Sequence, residues 1–447
     1  MRKLFKNLSD RFKNNNNKEE PVIEEKFMTV DAAGEYVQEV LAGESVEILD
    51  VFNEAVAGSP GARERAVSVI TDILNSHRIL VEGMTSREAA EIVYKDTWGL
   101  ETIQELYDDP VVSEIRWNDL KLFVTRKGRK EDAGIFLTSP AQAERIVKRL
   151  LLHDVGVSLN ETSPRAYSVR KDGSRVTALC YPVSSAWANV IRKHHTFDMS
   201  PENLEKHGTM DVKTYMRIRL LYVGGANIII IGPADAGKTS LLRKIVGELP
   251  EYLRIISLSK DREILMSKQY PDRDILELEE HEELGVSMPS LFETILTLSP
   301  DVIIVEELKG YGEATETIKA CTRGHRHSGT TAHFNNAVET VEGIGMMMIE
   351  EGLNLPLELA MLRVARTFNL VIRMKKCNKT GVKKLVDVTE IGVNGGKVYY
   401  RPLIEWVPDD ENDNYGSGCW MPVNMPTDEL LSELEVSRKE VVELWNR

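Results

Sequence analysis

The stretch "NIIIIGPADAGKTSLLRKIVGEL", residues 227–249, constrains the fold more than any other part of the chain. Ile228 to Ile231 form an unbroken β-branched run, the pattern of a parallel strand buried on both faces. Leu241, Leu242, Ile245 and Val246 then recur at helical spacing. Between them lie Gly232, Pro233, Ala234, Asp235, Ala236, Gly237, Lys238, Thr239 and Ser240, which match G-x-x-x-x-G-K-[ST]. In such a loop backbone N–H groups cradle phosphates, the lysine reaches the β- and γ-phosphates, and the hydroxyl holds Mg²⁺. The following helix adds its N-terminal amides and dipole to the anion site. A glycine turn matching by accident is the alternative, and the strand and helix patterns on either side disfavour it.

At 447 residues the chain is too long for one ordinary core, and about three domains are expected. Its formal charge of -14 argues against a general nucleic-acid binder. The four cysteines (Cys180, Cys321, Cys377, Cys419) are far apart and lack C-x-x-C spacing, so neither a disulfide framework nor a zinc ribbon is indicated and a reducing cytoplasm fits. No stretch approaches the roughly 18 apolar residues of a membrane span. The opening "MRKLFKNLSDRFKNNNNKEE" places Leu4, Phe5, Leu8 and Phe12 at helical spacing among basic residues. A solvated tail is favoured there over a membrane-surface segment, with the asparagine run as linker.

Pattern changes along the chain divide it into a basic tail and linker (1–27), a helical module (28–105), a mixed α/β domain (106–205), a strand–helix domain that contains the phosphate loop (206–425) and a C-terminal helix (426–447). Asp172-Gly173 reads as a hairpin turn in the second of these folded parts. In the third, alternating strands and helices predict a parallel sheet. After residue 367, "FNLVIRMKKC", "KKLVDVTEIG" and "KVYYRPLIEW" read as antiparallel hairpin additions.

"SPDVIIVEELKG" supplies a second buried strand, Val302 to Val305, ending in Glu306 and Glu307. A carboxylate there can hold Mg²⁺ through water or orient an attacking water. Neighbouring strand residues point to opposite faces, so one glutamate faces the nucleotide and the other makes structural contacts. "TRGHRHSGTTAHFNN" holds His325, His327 and His333. A metal site lacks cysteine or carboxylate partners. A surface loop remains open, but "GTTAHF" is strand-like, and a histidine at its end reaches the edge where parallel strands bind ligands. The acidic run "LELEEHEELGVSMPSLFET" reads as a solvated surface loop, or else as a partner contact, and Met346, Met347 and Met348 as core filling.

In this order the motifs resemble the traffic ATPases of type II and type IV secretion and pilus-assembly machines, especially their CpaF-like branch, over roughly residues 95–405. The resemblance is carried by "GLETIQELYDDPVVSEIRWND", "RKDGSRVTALCYPV … NVIRKHHTF", "SPDVIIVEELKGYGEA" and "GHRHSGTTAHFNN". It implies an α/β fold: a RecA-like P-loop NTPase C-terminal domain, a smaller mixed α/β (PAS-like) N-terminal domain and a helical N-terminal module. It further implies ATP and Mg²⁺ as ligands, with Lys238, Thr239 and Ser240 on phosphate and metal. Glu307 would be the catalytic carboxylate, His333 the γ-phosphate sensor, and Arg175 and Arg192 a source of positive charge for the nucleotide. The expected assembly is a homohexamer, cytoplasmic and peripheral to the cytoplasmic membrane, driving a membrane platform protein of a pilus or secretion machine, without direct nucleic-acid contact. A conjugation-type motor and a nucleotide-binding regulator with little hydrolysis are the alternatives.

Two positions depart from that family. Ser259-Lys260 stands where an acidic pair is usual, and a lysine facing the metal is unfavourable, since even two like unit charges about 4 Å apart cost about 4 kcal/mol at an effective dielectric near 20. Asp261 with Glu263 is expected to take over metal holding; alternatively Lys260 points to solvent. Asp235 replaces a glycine in the loop, where aspartate tolerates left-handed backbone but should turn its carboxylate away from phosphate.

Overall fold

All four residues from Ile228 to Ile231 are fully buried, because this strand is covered on both faces. Ile228 and Ile230 pack with Leu241, Leu242, Ile245 and Val246 of the helix Lys238–Val246, while Ile229 and Ile231 join a second cluster with Phe292, Val341 and Ile344. The computed structural model describes residues 25–446, apart from 155, 194–198, 261–265, 282–283, 310–311, 411–412 and 414. The chain divides into two compact units, Met1–Thr196 and Phe197–Arg447.

In the second unit the sheet runs in the order Ile275–Glu279, Ile255–Ser259, Val302–Leu308, Gly329–Ala332, Ile228–Ile231, Leu370–Lys376, Lys383–Asn394, Lys397–Pro408 and Gly418–Pro422. The first six strands are mutually parallel and the last three continue antiparallel. The expected antiparallel additions therefore begin one strand later than read, since Leu370–Lys376 is itself parallel to the phosphate-loop strand. The segment after 425 forms two short helices, Asp428–Glu433 and Arg438–Trp445, whose Leu430, Val441 and Trp445 close the first cluster.

Two sequence readings are corrected here. The acidic run is not wholly a surface loop: Ile275–Glu279 is an edge strand, with Leu276 and Leu278 packed on the second cluster. Its carboxylates are bound locally, Glu277 by the Met266 N–H at 2.6 Å and Glu280 by the Met288 N–H at 2.7 Å. Among the three methionines Met348 is buried and Met347 packs beside it, but Met346 is 42% exposed.

In the first unit the helices Val30–Ala42, Val46–Val56, Ala62–Ser76 and Ser86–Thr97 share one core built on Val37, Phe52, Ile70, Leu74 and Val93. The six-stranded antiparallel sheet runs Arg129–Phe136, Lys121–Arg126, Val112–Asn118, Ala188–Arg192, Arg175–Leu179, Arg165–Val169. The helix Pro140–Leu151 covers one face through Ala143, Ile146, Val147 and Leu150. The Asp172-Gly173 turn closes the last hairpin, with Gly173 at φ +84° and the Asp172 carboxylate accepting the Ser174 N–H at 2.8 Å. The amphipathic opening segment lies outside the described residues. No described helix is long and apolar enough to cross a membrane.

Lys384 stiffens the antiparallel end of the large sheet. It is 2% exposed, its ammonium lies 3.3 Å from the centre of the Trp406 ring and 5.3 Å from that of Trp420, and it donates to the Gly416 carbonyl at 3.1 Å. Burial pulls its pKa down from the ordinary 10.5 to about 8. The unfolded chain therefore binds the proton more tightly, and folding gains stability as pH rises through that window. The unfolding free energy of the wild type minus that of Lys384→Met should increase by about 2 kcal/mol between about pH 8 and pH 10 in urea titrations. A difference that stays flat with pH contradicts the charged, desolvated state described.

Candidate functional site

The loop Gly232–Gly237 has its shape dictated by a close approach. Gly232 lies at φ +140°, and a Cβ there would sit 2.1 Å from the Met374 carbonyl of the neighbouring parallel strand. Only glycine meets both conditions. Gly237, at φ +89°, starts the helix Lys238–Val246 from a left-handed turn. Asp235 is also left-handed, at φ +59°. Its carboxylate pairs with Lys383 Nζ at 2.8 Å and with Lys376 Nζ. Burial raises its pKa, but the two ammonium groups outweigh burial and hold it below the ordinary aspartate value. Thr239 and Ser240 stand half-buried on the first helical turn.

Lys238 is 6% exposed; its Nζ donates to the Pro233 carbonyl at 3.1 Å and lies 3.3 Å from His333 Nε2. The same His333 nitrogen is 2.5 Å from Glu307 Oε1, and Glu307 Oε2 is 2.8 Å from Lys309 Nζ. One imidazole thus stands between the loop lysine and the strand-end carboxylate. The topology puts it there: His333 follows Gly329–Ala332, the strand lying between Ile228–Ile231 and Val302–Leu308, and all three groups emerge at carboxyl ends of parallel strands.

A bulge sorts the two glutamates. Val305 pairs with Thr330 and Leu308 with Ala332, so Glu306 and Glu307 together oppose Thr331, whose hydroxyl donates to the Glu306 carbonyl at 2.7 Å. The extra residue returns Leu308 to the core face of Ile303 and Val305. Glu306 is 4% exposed and acts on Arg243 of the loop helix, whose pKa burial lowers while Tyr270 and Glu306 oppose that shift. Glu307 is left to His333 and Lys309. A hydroxyl (Thr239) and a carboxylate (Glu307) are hard oxygen donors of the kind Mg²⁺ takes.

Lys260 does not simply point to solvent. Its Nζ is 3.5 Å from Glu280 Oε2 and 3.6 Å from Glu313 Oε1, carboxylates that are 8% and 1% exposed. Asp261 and Glu263 lie outside the described residues. Of the three histidines, His327 is tied back into the fold: its Nδ1 is 2.9 Å from the Tyr222 carbonyl, and the Tyr222 hydroxyl donates to the His327 carbonyl at 2.6 Å. Arg175 and Arg192 belong to the first unit, directly opposite each other on adjacent strands, with Glu114 3.5 Å from Arg192 Nη2. Sequence reasoning missed Lys309, Glu280, Glu313, Lys376 and Lys383. Glu313 stood inside the motif "KGYGEA" and was the one with a signal.

A family model described as "Type II/IV secretion system protein" matches residues 170–398, just over half of the chain, and the chain belongs to that family. Among curated relatives it is 28% identical over 135 residues to the type IV secretion system protein PtlH of Bordetella pertussis, covering 30% of this chain and 40% of that protein. It is 29% identical over 138 residues to the type IV secretion system protein VirB11 of Brucella suis, covering 30% and 38%. These matches span about two fifths of the relatives' lengths. Among solved structures, the VirB11 ATPase of the Brucella suis type IV secretion system in complex with sulphate shows 20% identity and a TM-score of 0.35, covering 65% of this chain and 92% of that one. The pilus retraction motor PilT with bound ADP shows 16% identity and a TM-score of 0.45, covering 70% and 84%.

Gly232→Ala should destabilise the second unit. It imposes a strained backbone, costing of order 1–3 kcal/mol, besides the clash with the Met374 carbonyl. Thermal unfolding would show a lowered midpoint; an unchanged midpoint contradicts the close approach.

Proposed function

We propose that this chain is a Mg²⁺-dependent ATPase motor, cytoplasmic and peripheral to the membrane, that powers pilus assembly or protein secretion through a membrane platform. The observation that carries the reading is the Lys238–His333–Glu307 array at the carboxyl edge of the sheet. A terminal phosphate entering between Lys238 and Glu307 meets a cation on one side and a carboxylate able to orient water on the other. Lys238 then exchanges the Pro233 carbonyl and His333 for phosphate oxygens. His333, freed from Lys238, keeps contact with Glu307 and so registers whether the γ-phosphate is present. Glu307 accepts a proton from the attacking water, and Lys309 steadies its other oxygen. Mg²⁺, when bound by Thr239 and Glu307, supplies charge neutralisation at the β- and γ-phosphates.

Family membership supports a secretion or pilus machine, and a homohexamer of the CpaF-like kind with Arg175 and Arg192 delivering charge to the nucleotide is part of the proposal. The alternative is a conjugation-type type IV secretion ATPase serving DNA transfer, and the relatives named as type IV secretion system proteins support the type IV part of it. The overall acidic charge keeps direct nucleic-acid contact out of the reading. Lys260 offers little support for a non-hydrolysing regulator, since Glu280 and Glu313 already balance its charge.

Phosphate-release and nucleotide-binding assays test the site. Lys238→Ala should abolish ATP binding, whereas Glu307→Gln should bind ATP normally and lose about 10²–10⁴-fold in turnover. Unchanged rates in both variants would defeat the assignment.

A further inference from the structure

The second half of the phosphate loop is gripped from outside. Asp235 puts a carboxylate into a loop built for anions, where an uncompensated negative charge would repel a bound phosphate. Two lysines meet that carboxylate, and they need it in turn. Lys376 and Lys383 are directly opposite each other in the antiparallel pair Leu370–Lys376 and Lys383–Asn394, a placement that is unfavourable for like charges. Asp235 Oδ2 pairs with Lys376 Nζ and Oδ1 with Lys383 Nζ at 2.8 Å, so one carboxylate bridges both.

The hairpin that carries these lysines is held in place. Lys376 has only 9% of its side chain exposed, and its carbonyl accepts the Tyr415 hydroxyl at 3.1 Å. Lys383 is followed by Lys384, whose ammonium is held over the Trp406 ring at 3.3 Å. The same strand that presents Lys376 presents the Met374 carbonyl against Gly232. One strand therefore sets both the entry of the loop and its left-handed turn.

We infer that Lys376 and Lys383 are positioning residues for the phosphate loop, holding its turn through Asp235 before nucleotide arrives and cancelling the charge that would repel a polyphosphate. The inference rests on the nucleotide-binding reading above. With two ammonium groups on one carboxylate, the rim of the loop keeps a net positive charge. Conformation at the hairpin is thereby coupled to nucleotide affinity.

The test is a double-mutant cycle on the full chain, read in two ways: hydrogen exchange of residues 232–237 without nucleotide, and equilibrium binding of a fluorescent ATP analogue. Methionine substitutions keep the apolar stems. Lys376→Met with Lys383→Met should speed loop exchange by about tenfold and weaken analogue binding by about tenfold. Adding Asp235→Gly, which removes the carboxylate and suits the left-handed backbone, should return binding to within about threefold of Asp235→Gly alone. Unchanged exchange and binding in the double lysine variant would overturn the inference, as would a loss of binding that Asp235→Gly does not relieve. If the wild type fails to bind the analogue, the nucleotide reading falls, and exchange in the empty loop decides this one by itself: faster exchange supports it and unchanged exchange overturns it.

Discussion

The strand Gly329–Ala332 is the spacer on which the site depends. It keeps the phosphate-loop strand and the Glu307 strand from pairing directly. At about 4.8 Å per strand, the axes of the two flanking strands lie about 10 Å apart, and their side chains reach in from either side to one imidazole nitrogen, His333 Nε2, 3.3 Å from Lys238 Nζ and 2.5 Å from Glu307 Oε1. His333 is carried by the spacer itself and so touches both sides. Parallel pairing is what brings all three carboxyl ends to one edge, and burial on both faces is what holds the strands parallel.

Charge around this edge is closely balanced. Glu307 has a cationic or neutral nitrogen on each oxygen, Glu306 acts electrostatically on Arg243, and Lys260 lies between Glu280 and Glu313. On the proposed reading, entry of a polyphosphate and a divalent ion would change the partners of Lys238 and Glu307 while leaving the Glu306 and Lys260 contacts in place. The rearrangement is then confined to the imidazole and its two neighbours, the kind of local charge event that a two-state element can amplify.

Much of this was readable in the amino-acid order, for a local reason. The run Ile228–Ile231, the glycine spacing and the following helix are contiguous, so pattern and chemistry coincide within one short segment. His333 was readable as well, because a polar residue closing a strand-like run has few other places to go in a parallel sheet. The Lys376–Asp235–Lys383 clip was not, since Asp235 lies more than a hundred positions from both lysines and the lysines look like ordinary strand-edge charges. The bulge at Glu306-Glu307 left no composition signal. The edge strand Ile275–Glu279 was hidden by its acid content, although Leu276 and Leu278 alternate with glutamates as a half-buried strand requires. The partners of Lys260 were not readable, because Glu280 and Glu313 come from two other segments.

The most direct measurement is a structure of the chain bound to a non-hydrolysable ATP analogue and Mg²⁺. The terminal phosphate is predicted to lie between Lys238 and Glu307, with His333 displaced from Lys238 and still beside the carboxylate. Phosphates seated away from the Gly232–Gly237 loop, or a Lys238–His333–Glu307 array unchanged with nucleotide bound, would contradict the account.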